Sequence, residues 1–133
     1  MQIGLASSSE IDGIWPQISA GMQKACDTTG GSLCSADLWQ MCRAGDAFLM
    51  IAHDDTIKMA SVWRFENWPS GTVFKCLGLC GQDIAKWLPE ALEYAKQTAK
   101  SGNASRIIAE GRFGWERVAR QAKIISKTYE VNI

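Results

Sequence analysis

The chain has 133 residues, 47% of them hydrophobic, and its fourteen basic and fourteen acidic side chains cancel to a formal charge of zero. That length and apolar content support a single domain over residues 1–133, with a core that needs neither disulfides nor a metal, and they exclude a disordered chain. Balanced charge leaves no footprint for nucleic acid or for an anionic membrane surface.

The balance is uneven along the chain: residues 1–70 sum to −4 and residues 71–133 to +4. This asymmetry is read as the placement of solvated helix faces rather than as a steering field. The five cysteines (Cys26, Cys34, Cys42, Cys76, Cys80) include no C-x-x-C pair, and His53 is the one histidine. No zinc site is expected from that set, and reduced thiols in a cytoplasmic protein are the simplest account. Residues 1–9 lack a basic start followed by a long apolar run, so no secretion signal is read. The apolar runs are too short to span a bilayer.

In chain order, residues 1–6 read as a short strand closed by Ser7, Ser8 and Ser9. From Glu10 the apolar Ile11, Ile14, Trp15, Ile18, Met22 and Ala25 recur on one helical face. A proline inside a helix loses a backbone donor and clashes one turn back, so Pro16 is expected either at a first helical position or at a kink. Residues 28–32 are a loop. Ser35 is expected to cap a second helix over residues 36–44, with Asp37 in its first turn, Gly45 just past its end, and Trp39 and Cys42 toward the core.

Residues 47–52 and 57–64 read as two strands of a hairpin, with His53 as a solvated turn histidine. After a turn over residues 67–71, residues 72–79 read as a third antiparallel strand with Phe74, Cys76 and Gly78 on one face. A glycine-bearing link then leads into a helix, an arrangement that can present backbone N–H groups to a phosphate. The link holds no basic residue, and Asp83 at the expected cap position would compete for the same amides. Ile84, Trp87, Leu88, Ala91, Leu92, Ala95 and Ala99 form the apolar stripe of that helix. Pro89 suggests a preparatory turn, and Gly102 a stop.

Ile107 and Ile108 start another strand. Gly111 and Gly114 bracket Arg112 and Phe113, where the chain must leave the sheet and enter a helix carrying Trp115, Val118, Ala119 and Ala122. Arg112 at that strand end is either a solvated cation or part of a site. Residues 124–133 read as a closing strand, with Ile125, Tyr129, Val131 and Ile133 among its apolar positions.

The order β-α-α-β-β-β-α-β-α-β describes an α/β (α+β) domain with a mostly antiparallel central sheet flanked by helices. It resembles the GNAT acyl-CoA N-acyltransferase fold. In particular residues the chain is similar to the small GNAT-like proteins of tailed bacteriophages. Those proteins have a glycine-rich strand end leading to a Trp-Leu helix, here Gly81, Trp87 and Leu88. They also have a Gly-Arg-x-Gly-Trp-x-Arg-Val element, here Gly111, Arg112, Gly114, Trp115, Arg117 and Val118. The resemblance covers most of residues 30–133.

The resemblance implies acetyl-CoA as the cofactor. Cys76, Leu77, Gly78, Gly81, Gln82 and Arg112 would contact it, and Glu66 or Glu110 would take a proton from an amine. Typical members hold the pyrophosphate with a Gln/Arg-x-x-Gly-x-Gly/Ala loop. The nearest stretch here, Lys75 to Cys80, has lysine first and cysteine last. Typical members also place a proton-donating tyrosine around the fourth helix, whereas this region holds Arg112, Phe113, Trp115 and Glu116. The two tyrosines, Tyr94 and Tyr129, lie elsewhere, and a missing general acid lowers rates by about 10²–10⁴-fold without abolishing chemistry.

Two functions follow from the resemblance. One is an N-acetyltransferase acting on an amine in the host cytoplasm, with acetyl-CoA as its partner and no metal. The other is a non-catalytic GNAT-like phage module for virion assembly, DNA delivery or binding a host protein, with a phage or host protein as its partner.

Overall fold

The computed structural model describes residues 2–110 and 122–133. Its elements are β1 (Gln2–Leu5), α1 (Ile11–Thr28), α2 (Ser35–Ala44), β2 (Phe48–His53), β3 (Ile57–Trp68), β4 (Gly71–Gly81), α3 (Ile84–Ser101) and β5 (Arg106–Ala109). The five strands form one sheet in sequence order. Neighbours from β1 to β4 are antiparallel, and β5 runs parallel to β4. Parallel pairing there follows from the chain path, because α3 carries the chain back along the sheet between the two strands.

The sheet is covered on both faces. Ile11, Trp15, Ile18, Met22 and Cys26 of α1, with Leu38 and Cys42 of α2, pack on Leu49, Ile51, Ala60 and Val62. On the other face, Ala91, Ala95 and Ala99 of α3 lie against Met50, Ala52, Met59, Trp63, Phe74 and Cys76. The helix presents small residues where the sheet presents large ones, so the two surfaces interlock at short range. Trp63 and Phe74 stack with ring centroids 5.0 Å apart, and Phe65 meets Phe74 at 4.6 Å. Full burial of Phe74 among these rings makes it one of the larger contributors to the core.

Several local expectations change in the folded chain. Of the two places open to Pro16, the first helical position is ruled out, since it sits inside α1, and Pro89 sits inside α3 rather than after a separate turn. Each removes a single backbone hydrogen bond near the N-terminal end. Burial of Ile18 and Met22 in α1, and of Ala91 and Ala95 in α3, offsets a cost of about 3 kcal/mol. The cap of α2 is Cys34, not Ser35. Its amide donates to Asp37 Oδ2 at 3.0 Å, while the buried Ser35 hydroxyl accepts the Trp15 indole N–H at 3.2 Å and pairs with Ser19 at 3.1 Å. Ser35 is thus spent tying α1 to α2. Asp83 precedes α3 in a left-handed conformation, φ 52°, and its side chain caps nothing.

The closing strand expected over residues 124–133 is not formed. Residues 122–133 adopt neither helix nor strand and are exposed, Tyr129 and Val131 at 80% and 83%. Alternating apolar residues suit a strand, but a strand also requires a neighbour to share its ladder. Among the described residues β5 pairs with β4 alone. The expected helix beginning near Trp115 lies outside the described residues. All five thiols are free, and no described helix is long and apolar enough to cross a membrane.

Gly81 ends β4 at φ 150°, where a Cβ would run into the Lys58 carbonyl oxygen and lie 2.8 Å from Met59 Cα. Both obstacles are backbone and cannot rotate away. Gly81→Ala is expected to lower the unfolding free energy by at least about 2 kcal/mol in urea melts. A variant with the parent's midpoint would show that β3 and β4 do not approach this closely.

Candidate functional site

The site begins with one extra residue in β4. Val62 of β3 pairs with Gly78, but the next residue, Trp63, pairs with Cys76, so the register slips and Leu77 is left over. This is a β-bulge, and it reverses the in–out phase of the strand. Phe74 and Cys76 before it, and Leu79 after it, pack on the α3 side. Leu77 packs against the α1 and α2 core. Gly78 lies on that side too: a Cβ there would sit 3.2 Å from Leu38 Cδ1 and 3.4 Å from Met22 Sδ. The expectation that Gly78 shares a face with Phe74 and Cys76 is therefore overturned, because strict alternation holds only in a strand without a bulge.

Just past the bulge the sheet opens. β5 pairs with β4 over four positions, from Val73 with Arg106 to Cys76 with Ala109. β4 then continues to Gly81 while β5 has ended. Residues 77–81 of β4 consequently face a wedge in which no described strand completes their ladder, and its vertex is the Cys76–Ala109 pair. Backbone donors and acceptors on such an edge require a partner from solvent or ligand. Cys76 closes the vertex from the α3 side. Burial pushes its thiol up to about 12, against the small opposing effect of its hydrogen bond to the Gly78 carbonyl. It is a neutral packing group there, not a nucleophile.

At the far end of β4, the Gln82 amide donates to the Lys58 carbonyl at 2.9 Å, which removes it from the amides that the link was expected to offer. The start of α3 has no side-chain cap and no acidic residue in its first turn. The competition expected from Asp83 is absent. Lys86 lies over the Trp87 ring at 4.8 Å, and the buried Trp87 indole N–H has no acceptor among the described residues.

Beside the vertex stands a charged cluster. Alternation along β3 brings Arg64, Glu66 and Trp68 onto one face. Arg64 Nε donates to Glu66 Oε2 at 2.7 Å and Trp68 Nε1 to Glu66 Oε1 at 3.0 Å. Across the hairpin, Arg64 pairs with Lys75. Lys75 Nζ lies 4.0 Å from Glu66 Oε2 and 3.0 Å from Glu110 Oε1, so one ammonium spans the two carboxylates. Arg106 of β5 covers the Trp68 ring at 5.2 Å and donates to Ser70 Oγ at 2.8 Å. Burial acts to raise the Glu66 carboxyl, but the bonds from Trp68 and Arg64 and the charges of Lys75 and Arg64 outweigh it. The net direction is downward. Glu66 is held ionised and its lone pairs are occupied, which suits positioning better than proton abstraction. Glu110 is exposed and, among the described residues, meets the Lys75 ammonium alone.

The fold thus brings Glu66, Glu110, Cys76, Leu77 and Gly78 around one vertex, and puts Gly81 and Gln82 at the other end of the wedge. Arg112 lies outside the described residues. Lys75, Arg64 and Trp68 were not read as site residues. The signal for them is the tight turn at Pro69 and Ser70, since Trp68 pairs with Gly71 and counting back from that pair sets Arg64 opposite Lys75.

No protein-family model and no curated protein sequence matches the chain. Solved structures do match its fold. A predicted acetyltransferase of Clostridium acetobutylicum, solved with acetyl-CoA, superposes with a TM-score of 0.70 at 12% identity, covering 98% of this chain and 95% of that one. A GCN5-related N-acetyltransferase of Ralstonia eutropha gives 0.69 at 9% identity, over 99% and 97%. A ribosomal-protein-alanine N-acetyltransferase of Brucella melitensis biovar Abortus gives 0.66 at 10% identity, over the whole of both chains. The chain has the GNAT acetyltransferase fold.

Glu66→Ala strands the Arg64 and Trp68 donors and is expected to cost about 1–3 kcal/mol at neutral pH. The folded carboxyl titrates below its unfolded value of 4.5. The stabilisation is therefore fully present above 4.5 and is lost as the pH falls through the lower folded value. Urea melts of parent and variant should converge on acidification, and a gap that does not change with pH would contradict the ion-paired geometry.

Proposed function

We propose that this protein is an acetyl-CoA-dependent N-acetyltransferase acting on an amine, encoded by a tailed bacteriophage and working in the cytoplasm of its host. The observation that carries the reading is the wedge at the β4 bulge with two carboxylates beside its vertex. An extended pantetheine arm has amides that suit the unpaired edge of residues 77–81, in the manner of an added strand. The uncapped start of α3, with Lys86 in its first turn and the unpartnered Trp87 N–H nearby, suits an anionic diphosphate. The residues present therefore fit the cofactor, which supplies an activated acetyl group as a thioester.

In this reading Cys76, Leu77 and Gly78 shape the vertex, Gly81 gives access at the strand end, and Arg112 follows as an anion contact. Gln82 serves through its side chain, because its amide is engaged. Glu110 takes the proton of the incoming amine, and Glu66 orients Lys75 and the amine through its fixed charge. No tyrosine occurs among residues 110–118, which follow β5, so solvent protonates the departing thiolate. The phage origin rests on the Gly-Arg-x-Gly-Trp-x-Arg-Val element.

One observation favours a second reading, a non-catalytic module for virion assembly, DNA delivery or binding a host protein. Tyr129, Val131 and Ile133 are exposed at alternate positions, a row of apolar side chains open to a partner.

Calorimetric titration with acetyl-CoA, followed by a screen of amine acceptors with chromatographic detection of free CoA, tests the first reading. Binding is expected, with Kd weaker than about 1 μM because the link before α3 carries no cation. Submicromolar affinity would show that the link contributes more than its residues suggest. Absence of binding at millimolar acetyl-CoA would overturn the enzyme and favour the module.

A further inference from the structure

The geometry points to Lys75 as an acetyl acceptor within the protein itself, a self-acetylation site built into the mouth of the wedge. The inference rests on the acetyl-CoA reading above and goes beyond it. Lys75 immediately precedes Cys76, the last residue of β4 paired before the two strands part. Its ammonium stands where an acceptor amine has to stand, beside the vertex and between two carboxylates, 3.0 Å from Glu110 Oε1 and 4.0 Å from Glu66 Oε2. One group able to receive its proton, Glu110, is thus already in contact, while Glu66 fixes the ammonium from the other side. Its side chain is only 18% exposed, so little rotamer freedom remains to be lost on reaching a thioester seated in the wedge.

The step balances with acetyl-CoA as the named co-reactant. Glu110 takes one proton from Nζ, and the freed lone pair attacks the thioester carbonyl carbon. The N–C bond forms and the C–S bond breaks. The second proton leaves Nζ for solvent and the departing thiolate takes one up, giving an acetamide and free CoA. The product has no charge. Glu66 then keeps Arg64 as its cation, Glu110 is released, and the place between them is open to the ammonium of an external acceptor.

This position separates the proposal from random chemistry. A largely buried, ion-paired lysine reacts slowly with a thioester from bulk solution, whereas exposed Lys24 and Lys100 are open to it. Preference for Lys75 therefore has to come from a bound thioester.

The test incubates the full-length folded protein with acetyl-CoA and follows acetylation of each lysine by peptide mass spectrometry. Binding is measured in parallel by calorimetry, and a urea-unfolded sample serves as the control. Lys75 is expected to be acetylated about tenfold or more faster than Lys24 and Lys100 in the folded protein, with that preference lost on unfolding. Glu110→Gln should slow Lys75 alone, and Lys75→Arg should leave the other lysines at their parent rates. Saturable acetyl-CoA binding with Lys75 unmodified, or no faster than the exposed lysines, overturns self-acetylation and leaves the acetyl-CoA reading standing. No binding at all overturns both.

Discussion

The extra residue in β4 is the constraint from which the rest of the site follows. With Leu77 inserted, the strand bends and changes phase between Cys76 and Gly78, and bulges increase the local twist that turns a strand away from its neighbour. β5 accompanies β4 only as far as that point. The opening between the strands is thus built from backbone geometry, and the large apolar side chains around it hold the geometry in place. Phe74, stacked on Trp63 and fully buried, anchors β4 just before the bulge. Just after it, Leu38 and Met22 close on position 78, where a Cβ would sit 3.2 Å from Leu38 Cδ1.

Two kinds of ionisable group flank the vertex, and their environments set different roles. The Cys76 thiol is sealed in the core, and with no compensating charge its ionised form is strongly disfavoured. The Glu66 carboxylate is only partly buried and is surrounded by donors, so ionisation is favoured despite the burial. Lys75 links that fixed carboxylate to the exposed one of Glu110. An arrangement of this kind adds modestly to stability because solvent still screens it, but it defines where a cation belongs.

The start of α3 contrasts with this. A helix N-terminus leaves backbone donors unsatisfied, and here the Asp83 carbonyl takes the Lys86 amide at 2.8 Å while neither the Asp83 side chain nor a first-turn acid answers the others. Gly81 and Gln82 are instead committed to β3, the first by close backbone approach to Lys58 and Met59 and the second by its bond to the Lys58 carbonyl. The link is short and tightly drawn, so its capacity for an anion lies in the first turn of the helix more than in the loop.

Elements governed by local periodicity were determined by the sequence alone. The stripes of α1 and α3, the Gly45 stop of α2, the paired strands β2 and β3, and the strand at Ile107 and Ile108 follow from 3.6- and 2-residue repeats and turn chemistry, which depend on near neighbours. The resemblance to GNAT acetyltransferases rested on that order and agrees with the fold observed. What only the tertiary structure decided depends on residues far apart in the chain. Pro16 and Pro89 are tolerated because helix faces are buried on the sheet. Cys34 displaces Ser35 as a cap because Trp15 and Ser19 claim the serine. The alternating tail over residues 124–133 forms no strand because no described strand meets it as a ladder partner. The bulge at Leu77, and with it the grouping of Lys75, Glu66 and Glu110, could not be read from alternation, since one unpaired residue reverses the face of everything after it and that residue is identified only by its partner strand.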